Sequence, residues 1–359
     1  MRRRTLLAAT TAAIATGTLA GCASDENDAD ETPTENGTDA AGSFPSYELP
    51  GFSQWIPTEA QAADTEVFFT HVDWAALDEL DTDGAEDDDD EIEDVVEEVP
   101  IIGLPLYGAT ITPLAVFGIL FYPFAEDVFQ DDDEAVDGFD VDEMTWATET
   151  LVFEGTFEES VVEARYTDGF EIAEERGEFT VYEGVDEFTD GMAYAVSPKT
   201  LLAPLEPEED APYTSRDVID AGLDRTLDET DRLVDDEDGR WLFETTGDAP
   251  MVFGAWETED LLDAIEVEEE GEQDDDPELD DNPVFATVES VVNTLNFTVV
   301  DGEMEDLEAR FSALYPSESV PTEEEVREHL IGESGVPHEI GIDGTRVHAT
   351  ATFEEQPTQ

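Results

Sequence analysis

The sequence feature that most constrains the fold is one apolar stretch, residues 99–125, which has no charged residue in a chain that is 31% charged. The stretch is long enough to span a bilayer as a helix. However, four prolines and three glycines interrupt a regular helix. Acidic residues border both ends, where basic residues commonly flank a membrane span. We therefore predict a kinked helix or a pair of strands buried in the core. A membrane-inserted segment is the alternative.

The amino terminus has the order of an export signal. A run of arginines precedes a weakly apolar segment rich in Ala and Thr, and small residues then precede a cysteine. This order corresponds to a charged start, an apolar middle and a cleavage site. The ending resembles the lipobox of lipoproteins, in which the cysteine is acylated and becomes the first mature residue. The signal residues are Arg3, Arg4, Leu19, Ala20 and Gly21, and the predicted lipid attachment is at Cys22.

Both parts of this signal have alternatives. Arg3 and Arg4 resemble the pair of a twin-arginine signal, which exports folded chains, whereas an ordinary secretory signal with a basic start is the other interpretation. Cys22 is the only cysteine of the chain, so it has no internal disulfide partner. A buried apolar cysteine or a reactive thiol is the alternative for this residue. We predict a protein held by lipid on Cys22 at the extracytoplasmic face of the cell membrane.

The chain is extremely acidic, with 97 Asp and Glu against 13 Lys and Arg and a formal net charge of −84. Such a chain repels nucleic acid, so we predict no nucleic-acid partner. Self-repulsion opposes folding unless salt screens it, and the Debye length falls to about 3 Å at 1 M salt. With the signal and the lipobox, this composition resembles the lipoproteins of halophilic archaea, which implies adaptation to high salt. An acidic disordered chain is the alternative, but 40% hydrophobic residues favour a folded core.

Short strand-like runs separated by turn signals, with amphipathic helices between them, indicate the α+β class. A β-α-β-β-α-β order in the central region is typical of ferredoxin-like units, so we predict antiparallel sheets with helices on one face. The predicted organisation is a signal peptide (1–21), a lipidated cysteine with a flexible acidic tether (22–47), an N-terminal α+β region (48–145), a central ferredoxin-like unit (146–265), an acidic linker (266–283) and a C-terminal hairpin-helix-hairpin unit (284–354).

Two hairpins in the C-terminal unit can be predicted from the parity of their apolar positions. In the first, these positions are odd-numbered on both strands, which requires an odd number of loop residues, and residues 300–302 would form a three-residue turn. In the second hairpin, the apolar positions are even-numbered on the first strand and odd-numbered on the second. This requires an even number of loop residues, and Asp343 and Gly344 would form a two-residue turn. This register places His348 opposite Glu339 in a surface pair.

Two helix starts can also be predicted. Ser215 is the expected N-cap of a helix that runs to about Glu229. Thr322 and Glu325 have the spacing of a capping box, which predicts a second helix in the C-terminal unit.

Few residues indicate chemistry. The four histidines lack the spacing of a metal site, and neither a nucleophile elbow nor a glycine-rich phosphate loop occurs. We therefore predict no catalytic, cofactor-binding or metal-binding residues. Pairs of acids carry no information in so acidic a chain. Asn36 lies in an Asn-Gly-Thr motif and is the predicted glycosylation acceptor.

Two function classes follow. We predict a membrane-anchored, non-enzymatic binding or envelope module whose specific role the residues do not identify. The alternative is an extracellular hydrolase or ligand-capturing protein with a site made of scattered carboxylates and aromatic residues. A cleft that contains a desolvated carboxylate of raised pKa would favour the alternative. Evenly solvated acids around closed cores would favour the first class.

Overall fold

The structure is a computed structural model that describes residues 44–61, 66–77, 99–115, 122–128, 136–205, 211–227, 229–258, 261, 282–300, 303–332 and 337–354. The predicted signal, lipid-attachment and glycosylation residues lie outside the described residues. These residues are Arg3, Arg4, Leu19, Ala20, Gly21, Cys22 and Asn36.

Twelve strands occur in the described residues: β1 (Val67–Asp73), β2 (Phe139–Ala147), β3 (Thr150–Phe157), β4 (Phe170–Arg176), β5 (Phe179–Gly184), β6 (Ala193–Val196), β7 (Thr200–Pro204), β8 (Met251–Trp256), β9 (Ser290–Val300), β10 (Glu303–Leu314), β11 (His338–Asp343) and β12 (Arg346–Glu354). The α-helices are α1 (Trp74–Leu77), α2 (Pro100–Ala115), α3 (Ala125–Val128), α4 (Glu159–Arg165), α5 (Ser215–Leu227), α6 (Glu237–Thr246) and α7 (Glu323–Val326), which continues as a π-helix over Arg327–Ile331. Short 3-10 helices occur at Gly51–Trp55 and Leu233–Asp235.

The described strands form one antiparallel sheet in the order β11-β12-β10-β9-β8-β1-β2-β3-β7-β6-β5-β4. Strands of the three predicted regions are neighbours in it, because β8 of the central region pairs with β1 of the N-terminal region and with β9 of the C-terminal region. The protein is therefore a mixed helix and strand protein dominated by one large antiparallel sheet, as the α+β prediction requires. The finer prediction of ferredoxin-like units is not confirmed.

The strand order repeats across the centre of the sheet. β1, β2 and β3 are successive neighbours followed by α4, and β8, β9 and β10 are successive neighbours followed by α7. The first strands of the two sets, β1 and β8, pair with each other in antiparallel orientation. The topology of the two halves is therefore related by an approximate twofold axis normal to the sheet, so a strand position in one half has a counterpart in the other.

Helices contribute to the hydrophobic core on both faces of the sheet. On one face, Ile101 of α2 and Val162 of α4 belong to a buried cluster with Phe253 of β8. On the opposite face, Val252 packs in a second cluster with residues of α6 and the 3-10 helix Gly51–Trp55. Neighbouring strand residues point to opposite faces, so Val252 and Phe253 mark the two sides. The prediction that helices lie on one face is not confirmed.

The apolar stretch contributes to the core. Its first part is α2, in which Ile101, Ile102, Leu104 and Leu106 are buried. Residues 116–121 lie outside the described residues. The prediction of a buried helix is confirmed for the described side chains of α2. Within the described part of the chain, no helix is both long and apolar enough to cross a membrane.

The predicted parity of the first C-terminal hairpin is confirmed, but its turn is different. β9 ends at Val300 and β10 begins at Glu303, so the connection has two residues instead of three. A register shift between Met304 and Asp306 supplies the extra residue. Because this bulge changes the parity after the turn, odd-numbered residues still pair with odd-numbered residues along the rest of the strands.

The second C-terminal hairpin has an even loop as predicted, but the loop is one residue further along. Asp343 pairs with Arg346, so the two loop residues are Gly344 and Thr345, and Gly344 has a φ of +64°. His348 therefore pairs with Gly341 and not with Glu339. The predicted surface pair is wrong, since His348 is buried with 3% of its surface exposed.

One predicted helix cap is confirmed and one is displaced by a residue. Thr322 and Glu325 form the predicted capping box at the start of α7. At α5, Ser215 is already the first helical residue. Thr214 accepts a hydrogen bond from the backbone N–H of Asp217, and the Asp217 carboxylate accepts one from the backbone N–H of Thr214. Thr214 therefore caps this helix, in the reciprocal manner of a capping box.

The sheet is open, and its edge strands are β4 and β11. On β4, Glu174 and Glu175 are exposed, and a register shift follows Ile172. On β11, Glu339 and Asp343 are exposed. Acidic side chains and a bulge are features that discourage edge-to-edge pairing of sheets.

Candidate functional site

A cleft with a cavity volume of about 160 Å³ opens at the carboxyl end of β1. It lies on the sheet face that carries the 3-10 helix Gly51–Trp55, since Phe52 of this helix stacks on His71 of the cleft. Strand residues form its floor, and the loop before β8 forms one wall. We call it the carboxylate cleft, and its lining residues are His71, Asp73, Glu143, Asp248, Ala249, Pro250 and Asn296.

Three acidic residues stand in a row across β1, β2 and β3. Asp73 pairs with Glu143, and Glu143 pairs with Glu154. Paired residues of antiparallel strands have Cβ atoms about 4.5–5.5 Å apart on the same face, and like charges there are destabilising. The row therefore opposes folding, and strand formation alone gives no reason for it.

A β-bulge in β2 places Glu143 in this row. The register of β2 and β3 shifts between Val141 and Glu143, so β2 has one extra residue there. Val141 and Met144 both reach the core on the opposite face as a result. The close approach requires a glycine in β3, because a Cβ on Gly155 would lie 2.1 Å from the backbone oxygen of Asp140. Bulges of this kind commonly redirect side chains beside functional sites.

Burial and mutual repulsion raise the pKa values of three carboxyl groups in or beside the cleft. Desolvation raises the pKa of Glu143 to about 7, and the charges of Glu154, Asp73 and Asp248 raise it further. Desolvation and then the charge of Asp248 raise the pKa of Glu154. Desolvation also raises the pKa of Asp248, with a smaller contribution from Asp73. Near neutral pH, Glu143 therefore exchanges between its protonated and ionised forms.

His71 supplies a neutral polar group to the cleft. It is 3% exposed, and its ring stacks on Phe52 at 4.3 Å between centroids. Its Nδ1 lies 2.9 Å from the Thr145 hydroxyl, whereas Nε2 has no hydrogen bond to a described residue. Burial lowers the pKa of His71 to about 3, so the ring is uncharged at neutral pH. If Nδ1 donates its hydrogen to Thr145, Nε2 is a free acceptor at the cleft.

Backbone hydrogen bonds hold the wall against the floor. The N–H of Asp73 donates to the carbonyl oxygen of Pro250 at 2.8 Å. The Asn296 amide donates to the carbonyl oxygen of Asp248 at 3.4 Å. Asp73 has a second role, because its Oδ1 accepts a hydrogen bond from the N–H of Ala76 at 2.8 Å and so caps α1.

The other half of the sheet shows that the fold does not need acids at these positions. Trp256 ends β8 as Asp73 ends β1, so Trp256 is the counterpart of Asp73. Ser290 on β9 and Leu314 on β10, which pair with each other, are the counterparts of Glu143 and Glu154. All three counterparts are buried. The same strand positions thus accept ordinary core packing, so we attribute the acidic row to a function and not to the architecture.

A second polar cluster lies around His348 but is closed. The Ser312 hydroxyl lies 2.9 Å from His348 Nδ1 and 2.8 Å from the Thr245 hydroxyl. A serine beside a histidine is part of many hydrolase sites. Here, however, all three residues are buried, and Ser312 has no exposed surface. The described cluster is therefore closed to a substrate, and His348 Nε2 is buried in it without a hydrogen-bond partner.

The carboxylate cleft is built from residues that the sequence did not single out. Asp73, Glu143 and Asp248 are far apart in the chain, and each resembles any other acid of so acidic a sequence. The usable signal is Glu154, which continues the strand of Leu151 and Phe153. An acid on a strand whose both faces are otherwise buried is costly without a purpose.

Comparisons with known proteins found no protein similar to this chain. No family model, curated protein or solved structure matches the chain. Among the described residues, no three His, Cys, Asp or Glu side chains lie close enough together to hold a metal ion.

Proposed function

We propose that the protein is a lipid-anchored, extracytoplasmic binding protein of a high-salt environment and that it captures a small ligand in the carboxylate cleft. The single observation that carries the binding role is the convergence of Asp73, Glu143 and Asp248 on one cleft, where Glu143 and Asp248 are partly desolvated. The cleft matches the feature that favours a ligand-capturing protein over a closed scaffold, because desolvated carboxylates with raised pKa values cluster at functional sites.

The size of the cleft favours capture of a small ligand over hydrolysis of a polymer. Sites for drug-sized ligands have volumes of about 300–1,000 Å³, and this cleft has about 160 Å³. The cleft can hold only a small part of a sugar chain or a peptide. Hydrolysis of a small substrate is the second candidate function, since a carboxyl group with a pKa of about 7 suits general acid or base catalysis.

The anchor is supported by the order of the amino-terminal residues, which resembles an export signal that ends in a lipobox. Phe44 packs edge-on against Trp241 at 5.2 Å between ring centroids. The ring of Tyr47 lies under the guanidinium of Arg310. The backbone N–H of Tyr47 donates to the carbonyl oxygen of Glu244. The first described segment is therefore fixed to the body, and the acidic tether between it and Cys22 would set the distance from the membrane.

The anchor is tested by replacing the lipidated residue. In cells that export the protein, Cys22→Ser should release it from the membrane fraction into the medium. Mass spectrometry of the wild-type protein should find the mature chain beginning at an acylated Cys22. Retention of the Ser variant on membranes would contradict lipid anchoring through this residue.

The binding role is tested by a thermal-shift screen of small cations, zwitterions and neutral solutes in molar KCl. A ligand of the cleft should raise the melting temperature of the wild type and have a reduced effect on Glu143→Gln. Glu175→Gln is the matched control, because Glu175 is exposed on β4 away from the cleft. Cleavage of small ester or glycoside substrates by the wild type but not by Glu143→Gln would favour the second candidate. A screen in which no class of solute acts through Glu143 would contradict the binding role.

A further inference from the structure

Building on the proposed function, we infer that the ligand is a small organic cation with N–H donors, such as an alkylammonium or guanidinium group, and that its binding displaces a proton from Glu143.

The charge of the cleft requires a positive ligand. Its lining includes Asp73, Glu143 and Asp248 but no Lys or Arg among the described residues. The charged groups that act on Glu143 are all acidic, namely Glu154, Asp73, Asp248 and Asp142. Neutralisation must therefore come from outside the described protein, by a proton or by a bound cation.

The polar groups of the cleft are mainly acceptors. Ionised carboxylates accept hydrogen bonds only. The buried ring of His71 is neutral and has Nε2 without a described partner, so it can add an acceptor but no positive charge. The amide of Asn296 already donates to the backbone of Asp248. A ligand that complements this lining brings several N–H donors with its positive charge.

The described acids of the cleft do not form a metal site. Calcium and magnesium require several oxygen atoms at about 2.0–2.6 Å, and no described cluster of His, Cys, Asp or Glu meets this need. An ammonium nitrogen makes hydrogen bonds at about 2.7–2.9 Å, which suits acids on separate strands. Quaternary ammonium groups prefer aromatic cages, and no aromatic ring except the His71 imidazole lines the described cleft.

The volume sets the size of the ligand. About 160 Å³ corresponds to about five water molecules at roughly 30 Å³ each. Ala249 and Pro250 provide a small apolar surface at the wall. The space therefore suits an ammonium or guanidinium group with a short alkyl part.

Proton release follows from the position of Glu143. It faces Asp73 on β1, Glu154 on β3 and Asp248 in the wall, and Asp142 precedes it on β2. Their repulsion and the partial burial keep part of the Glu143 population protonated near neutral pH. A bound cation stabilises the ionised carboxylate, so the proton leaves to solvent as the ligand binds. Affinity should therefore rise as the pH rises through 7 and level off above it.

Isothermal titration calorimetry tests this inference, with methylammonium as the probe in molar KCl. At pH 7 the binding heat should differ between phosphate and HEPES buffers, because a released proton is taken up by buffers of different ionisation enthalpy. At pH 9 this difference should vanish. Glu143→Gln should bind methylammonium at least about tenfold more weakly, and Glu175→Gln should bind it as the wild type does.

Parallel titrations with tetramethylammonium, Mg²⁺, Ca²⁺ and neutral urea separate the possible failures. Stronger binding of one of these probes than of methylammonium, lost in Glu143→Gln, would overturn the ligand class and leave the binding function intact. Methylammonium binding without any buffer dependence at pH 7 would overturn the proton exchange. Absence of binding by every probe would count against the proposed function itself.

Discussion

Replacing Glu143 with Gln should stabilise the protein at neutral and alkaline pH. The pKa of Glu143 rises from 4.5 to about 7 in the folded protein, chiefly because of desolvation. At 1.36 kcal/mol per pH unit, this rise corresponds to at most about 3–4 kcal/mol of lost stability. The side chain is only partly buried, and solvent screens its interactions. We therefore expect Glu143→Gln to increase the free energy of unfolding by about 1–2 kcal/mol at pH 8.

The pH dependence identifies the cause. Between pH 4.5 and 7 the folded state holds the Glu143 proton while the unfolded state releases it, so this residue lowers stability as the pH rises. Above pH 7 its full penalty is present, and below pH 4.5 it contributes nothing. The difference between Glu143→Gln and the wild type should therefore shrink as the pH falls through this range.

Urea denaturation in molar KCl from pH 4.5 to 9 measures this difference. Glu175→Gln is the control and should follow the wild type at every pH, because its side chain is exposed. Two results would show that the ionised Glu143 carboxylate does not destabilise the folded protein. One is a Glu143→Gln variant that is less stable than the wild type at pH 8, and the other is a gain in its free energy of unfolding that does not depend on pH.

Four further outcomes follow from the structure. Gly155→Ala should destabilise the protein by about 2–3 kcal/mol in urea denaturation, because the added Cβ would meet the backbone oxygen of Asp140. Gly51→Ala is the control and should be nearly neutral, because the space around its added carbon is open. Burial lowers the pKa of His348 to about 4. As the pH falls from 6.5 towards 4, the free energy of unfolding of the wild type should therefore fall by up to about 3 kcal/mol relative to that of His348→Gln. Urea denaturation measures this difference. Thr322→Ala removes a capping box and should cost about 1 kcal/mol, which thermal unfolding would detect. In dilute buffer at about 0.01 M salt, where the Debye length is about 30 Å, circular dichroism should show loss of structure, and an unchanged spectrum would contradict adaptation to high salt.

Local patterns predicted the strands of the last two hairpins and several of their partners, whereas no pattern singled out β2, the strand that carries Glu143. The alternation of apolar residues in the last two hairpins set which residues share a face, and Leu307 does pair with Phe297. The turns were misplaced because the extra residue near Met304 is a backbone irregularity with no residue type that signals it. Moving the second loop by one position shifts each pairing by two residues, which keeps every side chain on its face. His348 is buried because its face of the sheet is covered as well, and its ring packs beside Phe44 and Ser312.

The site could not be predicted for a different reason. Its floor depends on pairing β1 with β2, and its wall on pairing β1 with β8. Such long-range pairing has no local signature. Acids are also so common in this chain that Asp73 and Glu143 have no contrast with their surroundings. What distinguishes them is their position on a buried part of the sheet, and that becomes visible only when the strands are assembled.

The open ends of the sheet place conflicting demands on the solvent. Brine allows so anionic a chain to become compact, but it equally weakens the repulsion between Glu174 or Glu339 and an approaching neighbour molecule. If the protein is most stable in concentrated salt, as we propose, charge therefore protects the edge strands of the described sheet least under those conditions. The register shift after Ile172 does not depend on charge, so at high salt it still discourages the pairing of another strand with β4.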